Sequence, residues 1–82
     1  MSYSARVSVM LKQGIADPQG QTIERALPAL GYEGVKNVRV GKLIELELDA
    51  ESVEEAEELV SEMCERLLSN PVIESYSVVI DS

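Results

Sequence analysis

Hydrophobic and polar residues alternate along two stretches of this sequence, one near each end. A period of two residues is typical of a strand with one buried face. The apolar positions are Val7, Val9 and Leu11 within residues 3–12, and Tyr76, Val78 and Ile80 within residues 72–80. The pattern therefore predicts a strand in each stretch.

A helix is predicted after the first strand. Asp17 followed by Pro18 is typical of a helix N-cap with proline at the first helical position, where no backbone N–H is needed. Apolar residues then recur at three- and four-residue spacing as far as Gly31, a residue type that commonly follows a helix. Pro28 lies inside this pattern and removes one backbone hydrogen bond. We therefore expect a short helix from about residue 18 that is kinked or tightened near Leu27.

Apolar and polar residues alternate over an unusual length in the segment from Val35 to Asp49. Five of its apolar residues fall on even positions, in a series that Lys42 interrupts: Val38, Val40, Ile44, Leu46 and Leu48. We favour one long strand bent at Gly41; the alternative is a hairpin whose loop is Gly41, Lys42 and Leu43. A continuous strand would span about 50 Å, whereas a compact chain of this length is roughly 30 Å across. Because free strand edges pair with other chains, we expect a homodimer or a higher oligomer.

A second helix is predicted to begin at Ser52, because Ser52 and Glu55 match the S-x-x-E capping box. Apolar residues then recur at helical spacing, with glutamates on the opposite side. The predicted buried positions are Val53, Ala56, Leu59, Val60, Met63, Leu67 and Leu68. Asn70-Pro71 ends the helix. Cys64 lies beside the apolar stripe, so we interpret it as a structural, unreactive thiol.

The predicted elements follow the order strand, helix, long strand (or hairpin), helix, strand. This order favours an α+β domain, a two-layer α/β sandwich in which an antiparallel-rich sheet carries both helices on one face. Neither a linker nor an internal repeat divides the sequence, so residues 1–82 are expected to form a single domain.

Composition narrows the functional classes. The chain has no histidine and one cysteine, so the commonest general base and metal ligand is missing. Its only aromatic residues are three tyrosines, and its net charge is −8. Such a chain repels phosphate backbones and anionic membranes, so we expect neither nucleic acid nor membrane as a partner. No apolar run approaches the ~18 residues of a membrane span, and no signal peptide is visible, which predicts a cytoplasmic protein.

Two segments are candidates for binding. The run LKQGIADPQG places Gly14 and Gly20 around a helix start, where backbone N–H groups could hold an anion. It lacks a phosphate-binding spacing, so a capped strand-to-helix turn explains it better. Three of the seven basic residues lie close together in the sequence: Lys36, Arg39 and Lys42. We interpret them as a solvated bend or as an electropositive contact for an anionic partner surface.

Four segments, in order and at unbroken spacing, resemble the PurS family. They are LKQGIADPQG, LGY at residues 30–32, VRVGK at residues 38–42 and LLSNPVIESY at residues 67–76. PurS is the small subunit of phosphoribosylformylglycinamidine synthase, also called formylglycinamide ribonucleotide amidotransferase. The resemblance covers nearly the whole chain.

The resemblance implies a non-catalytic role in the fourth step of purine synthesis. There, formylglycinamide ribonucleotide, glutamine and ATP become formylglycinamidine ribonucleotide, glutamate, ADP and phosphate. In the multi-subunit enzyme of this family, the large subunit PurL performs the ATP-dependent chemistry and the glutaminase subunit PurQ releases ammonia. By this resemblance, the small subunit dimerises, bridges the other two and assists ammonia transfer. It binds no cofactor itself, while the ligase complex uses ATP, Mg and glutamine.

The motif positions supply candidate contacts with partner subunits, or residues that set the shape of such contacts. They are Lys12, Asp17, Gly20, Lys42, Asn70 and Pro71. No catalytic, cofactor-binding or metal-ligating residue is predicted. The main alternative is a regulatory α+β domain that binds a small molecule at a dimer interface. A phosphatase-like hydrolase is a weaker alternative, because it needs an arginine-lined anion pocket.

Overall fold

The computed structural model describes residues 1–81, so Ser82, the last residue of the predicted domain, lies outside the described part. The elements in chain order are β1 (Ser2–Leu11), α1 (Pro18–Ala26) with a 3-10 continuation (Leu27–Leu30), β2 (Gly41–Asp49), α2 (Val53–Met63) with a π-helical continuation (Cys64–Leu68), and β3 (Glu74–Asp81). Three antiparallel strands and two helices confirm the predicted α+β class.

β1 is the central strand of the sheet, whose order is β2-β1-β3. Val7 pairs with Ile44 on one side and with Val78 on the other, so the alternate apolar residues of all three strands share one face. The members of this face on β1 are buried: Tyr3, Ala5, Val7 and Val9. The alternation predicted for the two terminal strands is therefore confirmed.

α2 covers the apolar face and packs against β1 and β3. Its N-terminus carries the predicted cap, because Ser52 Oγ accepts a hydrogen bond from the Glu55 N–H at 3.1 Å. The Glu55 carboxylate in turn accepts one from the Glu51 N–H at 3.3 Å. Ala56 and Val60 are buried between helix and sheet, where they complete the core.

The end of the second helix is π-helical, and this changes which leucine is buried. The Ser69 N–H donates to the Cys64 carbonyl, five residues earlier, at 3.0 Å. The extra residue in the turn rotates the side chains that follow. Leu67 is consequently 82% exposed, whereas Leu68 packs against the core. The prediction that Leu67 lies in the buried stripe is wrong for this reason, and Val53 in the first turn is also exposed.

α1 tightens as predicted, since the 3-10 turn that contains Pro28 begins at Leu27. The helix ends at Gly31, whose φ of 95° is left-handed. The placement of α1 differs from the expectation of two helices on one sheet face. α2 packs against the strands, whereas α1 packs chiefly against its own 3-10 continuation. Gly20 is the one buried residue of α1, so this helix contributes little to the core.

The long strand predicted over residues 35–49 is wrong in its first part, and the alternative hairpin does not form either. β2 begins at Gly41 and pairs with β1 along its whole length, while residues 35–40 belong to no strand. Backbone N–H groups of this segment donate to two carboxylates at α1 instead of to another strand. Asn37 has a left-handed φ of 59°, which interrupts an extended chain.

The molecule is elongated, with dimensions of 51 × 26 × 14 Å and a radius of gyration of 16.3 Å. A compact chain of this length would have a radius of gyration near 12 Å. A ten-residue strand such as β1 is only about 33 Å long. We attribute the additional length to α1 and the segment that follows it, because these lie beyond one end of the sheet. Within residues 1–81, no helix is both long enough and apolar enough to span a bilayer.

Candidate functional site: one end of the sheet

The antiparallel register brings the ends of three elements together. β1 ends where the other strands begin, since Met10 pairs with Gly41 and Leu11 pairs with Glu74. The residues that the sequence singles out as partner contacts lie at or beside this end, and we call them the sheet-end cluster: Lys12, Asp17, Gly20, Lys42, Asn70 and Pro71.

Asp17 joins the start of α1 to the segment before β2. One carboxylate oxygen accepts a hydrogen bond from the Gly20 N–H at 2.9 Å, and the other accepts one from the Val40 N–H at 2.8 Å. The bond from Gly20, then the bond from Val40 and the nearby charge of Arg39 hold the pKa of the Asp17 carboxyl below its ordinary 3.8. Asp17 is therefore ionised at neutral pH and has no proton to donate.

Glu24 is a member of this arrangement that the sequence interpretation missed. Its Oε1 accepts a hydrogen bond from the Val38 N–H at 3.0 Å. Together with Asp17 it accepts hydrogen bonds from alternate N–H groups of residues 38–40. These bonds hold residues 38–40, which we call the strap, against α1. The spacing of Asp17, Gly20 and Glu24 places all three on one side of a helix. That spacing is the signal by which Glu24 could have been found.

Gly20 allows the strap to approach α1 closely. A Cβ atom at this position would lie 2.6 Å from Asp17 Oδ2 and 2.6 Å from the Val38 carbonyl oxygen. Neither distance is compatible with a real side chain, so the position requires glycine. The role of Gly20 is therefore to set shape.

Lys12 connects the end of β1 to the turn that precedes β3. Its backbone N–H donates to the Ile73 carbonyl at 2.8 Å, and its Nζ donates to the Pro71 carbonyl at 2.7 Å. A charged donor makes such a bond stronger than one between neutral groups. The structure thus brings Lys12 and Pro71 together, in a contact within the chain.

Asn70 organises the same turn. Its Oδ1 accepts a hydrogen bond from the Val72 N–H at 3.1 Å, the side-chain mimic of a backbone turn that asparagine favours. Its carbonyl accepts bonds from the Ile73 and Glu74 N–H groups at 3.1 and 2.7 Å. Its own N–H donates to Glu74 Oε1 at 2.6 Å. Asn70 therefore fixes how β3 enters the sheet.

Lys42 presents its charge to solvent from the second position of β2, opposite Val9. It lines an open cleft of about 340 Å³ together with Asp17 and Glu74. An adjoining cleft of about 410 Å³ lies beside Asp17 and includes Arg39, whose guanidinium donates to the Leu11 carbonyl. Two clefts therefore border the exposed surface of the cluster.

The cluster contains no nucleophile paired with a base, and Asp17 is already ionised. Cys64 is buried in the core, where burial, followed by the charge of Glu65, raises the pKa of its thiol. Five glutamates of the second helix line a surface depression of about 930 Å³. Among the described residues 1–81, however, no group of three or more potential ligands is placed to hold a metal. The arrangement supplies a rigid, shaped surface for contact.

Comparison with known proteins gives concordant results. Residues 4–82 match the family model described as PurS, phosphoribosylformylglycinamidine (FGAM) synthase. The chain is similar to the phosphoribosylformylglycinamidine synthase subunit PurS of Archaeoglobus fulgidus, with 48% identity over 92% of this chain and 94% of the relative. It is similar to the subunit of the same name from Methanocaldococcus jannaschii, with 43% identity over 96% and 95% of the two chains.

Solved structures agree with the sequence relatives. The PurS subunit of Thermotoga maritima matches with a TM-score of 0.90 and 41% identity, over 99% of this chain and 93% of that chain. A chain in the structure of PurLQS from the same organism matches with a TM-score of 0.89 and 41% identity, over 99% of both chains. The likeness therefore extends to the whole fold.

Proposed function

Because the chain belongs to the PurS family, we propose that it is the small, non-catalytic subunit of phosphoribosylformylglycinamidine synthase in purine biosynthesis. One observation carries the proposal: the likeness to a chain of PurLQS extends over 99% of both chains. A chain of the same fold and nearly the same length is thus present in the PurLQS structure from Thermotoga maritima. The proposed partners are the large synthase subunit, PurL, and the glutaminase subunit, PurQ.

The proposed role is to bridge the two larger subunits and to assist ammonia transfer between them. The geometry of the sheet-end cluster supports a role in shape, because Asp17, Lys12 and Asn70 are each used in bonds within the chain. These bonds hold the ends of all three strands in one rigid unit, and rigid surfaces lose little entropy on docking. Lys42 is the member of the cluster with its charge directed to solvent, and we assign it to the contact itself.

We further propose that the chain binds no cofactor of its own. ATP, Mg and glutamine belong to the reactions of the larger subunits. An ionised Asp17 and a buried Cys64 thiol support this assignment, since neither is suited to acid–base or nucleophilic chemistry. The proposed location is the cytoplasm.

The chain is proposed to act as a homodimer. Its elongated form and its two edge strands, β2 and β3, support self-association. The alternative of a metabolite-binding regulatory domain is less well supported, because the matching family model and the relatives named above are those of PurS.

The proposal is tested by mixing the purified chain with the large synthase and glutaminase subunits, in the presence of glutamine and nucleotide. The expected result is one co-purifying assembly that contains all three chains, measured by light scattering. If the two larger subunits assemble equally well without the chain, and the chain elutes alone, the bridging role is wrong.

A matched pair of variants locates the contact. Lys42→Glu and Arg66→Glu make the same change of charge at two exposed positions, one in the sheet-end cluster and one at the end of the second helix. We expect Lys42→Glu to weaken co-purification about 10-fold or more, since like charges at an interface are strongly unfavourable. Arg66→Glu is expected to behave as the wild type. Equal effects of the two variants would contradict the assignment of Lys42.

A further inference from the structure

β3 is an edge strand whose outer side meets no other strand within residues 1–81. It pairs with β1 in one continuous register from Glu74 to Asp81, so no bulge interrupts it. Its residues 75–80, SYSVVI, include no charged residue, proline or glycine. Edge strands that stay unpaired usually carry charged residues, prolines or bulges that block pairing. The free edge of β3 can therefore accept a further strand.

A hydrogen bond at the end of β1 shows which backbone groups of β3 are free. The Lys12 N–H donates to the carbonyl of Ile73, the residue directly opposite when the register is continued by one residue. In an antiparallel pair, residues that bond directly to each other recur at every second position. The N–H and C=O groups that point away from β1 therefore belong to Glu74, Tyr76, Val78 and Ile80.

The same reasoning identifies the free groups of β2, the other edge strand. The Met1 amino group donates to the Ala50 carbonyl at 3.1 Å, and the Ala50 N–H donates to the Met1 carbonyl at 2.9 Å. The even-numbered residues of β2 therefore bond to β1. The outward groups belong to Gly41, Leu43, Glu45, Glu47 and Asp49, of which three carry carboxylates. A strand added to β2 would place its side chains beside these charges, which protects this edge.

On β3 the free backbone groups belong to residues with core-facing side chains. Tyr76, Val78 and Ile80 pack against the core but are only half buried. Residues directly opposite each other in an antiparallel pair place their side chains on the same face. A strand that bonds to these three residues would thus add its alternate side chains to the apolar face, where burial is favourable. The β3 edge offers hydrogen bonds and apolar surface together.

Charge limits which strand fits this edge. Glu74 begins β3 and Asp81 ends it. A second copy paired antiparallel along β3 would bring the Asp81 end of one chain beside the Glu74 end of the other. Outside residues 12–42 each chain also carries two basic and twelve acidic residues, a net charge of −10. Like charges at such a contact are unfavourable, whereas a strand with Lys or Arg at its ends is complementary.

We propose that β3 receives an extended segment of one of the two larger subunits, which joins the sheet as an antiparallel fourth strand. The segment is apolar at alternate positions and basic at its ends. Backbone hydrogen bonds supply the affinity of such strand addition, and the alternate side chains supply its selectivity. The identity of the partner rests on the proposed function, while the chemistry of the segment follows from the β3 edge.

Amide hydrogen exchange, measured residue by residue, tests this proposal. The chain is compared alone and in its assembly with the large synthase and glutaminase subunits. We expect the amides of Tyr76, Val78 and Ile80 to exchange at least ~10-fold more slowly in the assembly, because they gain carbonyl partners. The outward amides of Glu45 and Glu47 on β2 are the matched control, and we expect the same exchange rate in both samples.

A change to the backbone at Val78 provides a second measurement. N-methylation removes the outward N–H of Val78, keeps its side chain and places a methyl group on the edge. The chain is prepared by ligating recombinant residues 1–63 to synthetic residues 64–82 at Cys64, the single cysteine. The unmethylated chain, ligated in the same way, is the control. We expect N-methylation to weaken co-purification with the larger subunits at least ~10-fold while the mass of the chain alone is unchanged.

The outcomes separate this inference from the proposed function. If the chain joins the assembly but the three β3 amides exchange as before, or if the folded N-methylated chain binds as well as its control, the inference is wrong and the subunit assignment stands. If the N-methylated chain does not fold, the exchange rates decide. Protection of the three amides by self-association of the chain alone would mean that a second copy occupies the edge, which also overturns the inference. Failure of the wild type to co-purify would overturn the subunit assignment and the inference together.

Discussion

Single residues at the sheet end act by accepting and donating hydrogen bonds within the chain. Asp17 is the centre of this network, because its two carboxylate oxygens bind the start of α1 and the strap before β2. Sequence analysis predicted its capping role from the Asp-Pro pair. It could not predict the second bond, since the partner, Val40, is 23 residues away and nothing in the local pattern marks it.

Gly20→Ala tests the close approach of the strap. Alanine normally stabilises a helix relative to glycine by about 1 kcal/mol. Here we expect the opposite sign, a loss of roughly 1–3 kcal/mol, because the new Cβ would overlap the Val38 carbonyl and the Asp17 carboxylate. Chemical denaturation measures the difference. The control is Gln21→Ala at the next, exposed position, with an expected change within ~0.5 kcal/mol. A stabilised Gly20→Ala protein would show that the approach is not close.

Acid titration tests the carboxylate of Asp17. A carboxyl whose pKa is lowered in the folded protein stabilises it at pH values above the unfolded pKa, and this contribution is lost as the pH falls through the folded value. We therefore expect Asp17→Asn to lower the thermal midpoint at neutral pH. The difference from wild type should shrink as the pH falls below the ordinary value of 3.8. A difference that is the same at neutral and acid pH would mean that the charge of Asp17 plays no part.

The hydrophobic pattern is sufficient to predict some of the helices and strands and insufficient for others. The first and last strands in the sequence, β1 and β3, and both helix starts follow from alternation and capping residues, because these signals are local. Residues 35–40, which include the strap, were predicted as part of a strand, since Val38 and Val40 alternate with polar residues as strand residues do. Alternation reports which side chains are apolar, and it does not report whether the backbone N–H groups meet another strand or a carboxylate. The residues of the sheet-end cluster were predicted from the resemblance to a family. Glu24 was missed because the pattern of apolar residues does not show that its carboxylate accepts a hydrogen bond from the Val38 N–H.

The π-helical turn (Cys64–Leu68) is a second feature that the hydrophobic pattern did not predict. Substitutions of two leucines test it. Leu68→Ala should cost about 1–3 kcal/mol of unfolding free energy, because Leu68 packs on the core. Leu67→Ala should change the unfolding free energy by less than ~0.5 kcal/mol, because Leu67 faces solvent. Denaturant unfolding of both variants provides the comparison. The reverse order would indicate that the α-helical register continues without interruption to residue 68.

The whole molecule combines a thin core with a large open surface. Its core lies between the second helix and the three strands, while residues 12–40 and the glutamate-rich outer side of the second helix extend the surface without adding to the core. A small chain built in this way gains most of its further burial from partners. The long strand predicted over residues 35–49 was wrong in its first part, and the 51 Å length of the molecule does not come from such a strand.

The role of a non-catalytic subunit can be tested by measuring glutamine-dependent synthase activity with the purified large and glutaminase subunits. We expect that activity is absent without this chain, that it returns in proportion to added chain until the subunits are saturated, and that the chain alone turns over nothing. Full glutamine-dependent activity of the two larger subunits without the chain, or turnover by the chain alone, would contradict the claim that it acts only as a structural subunit.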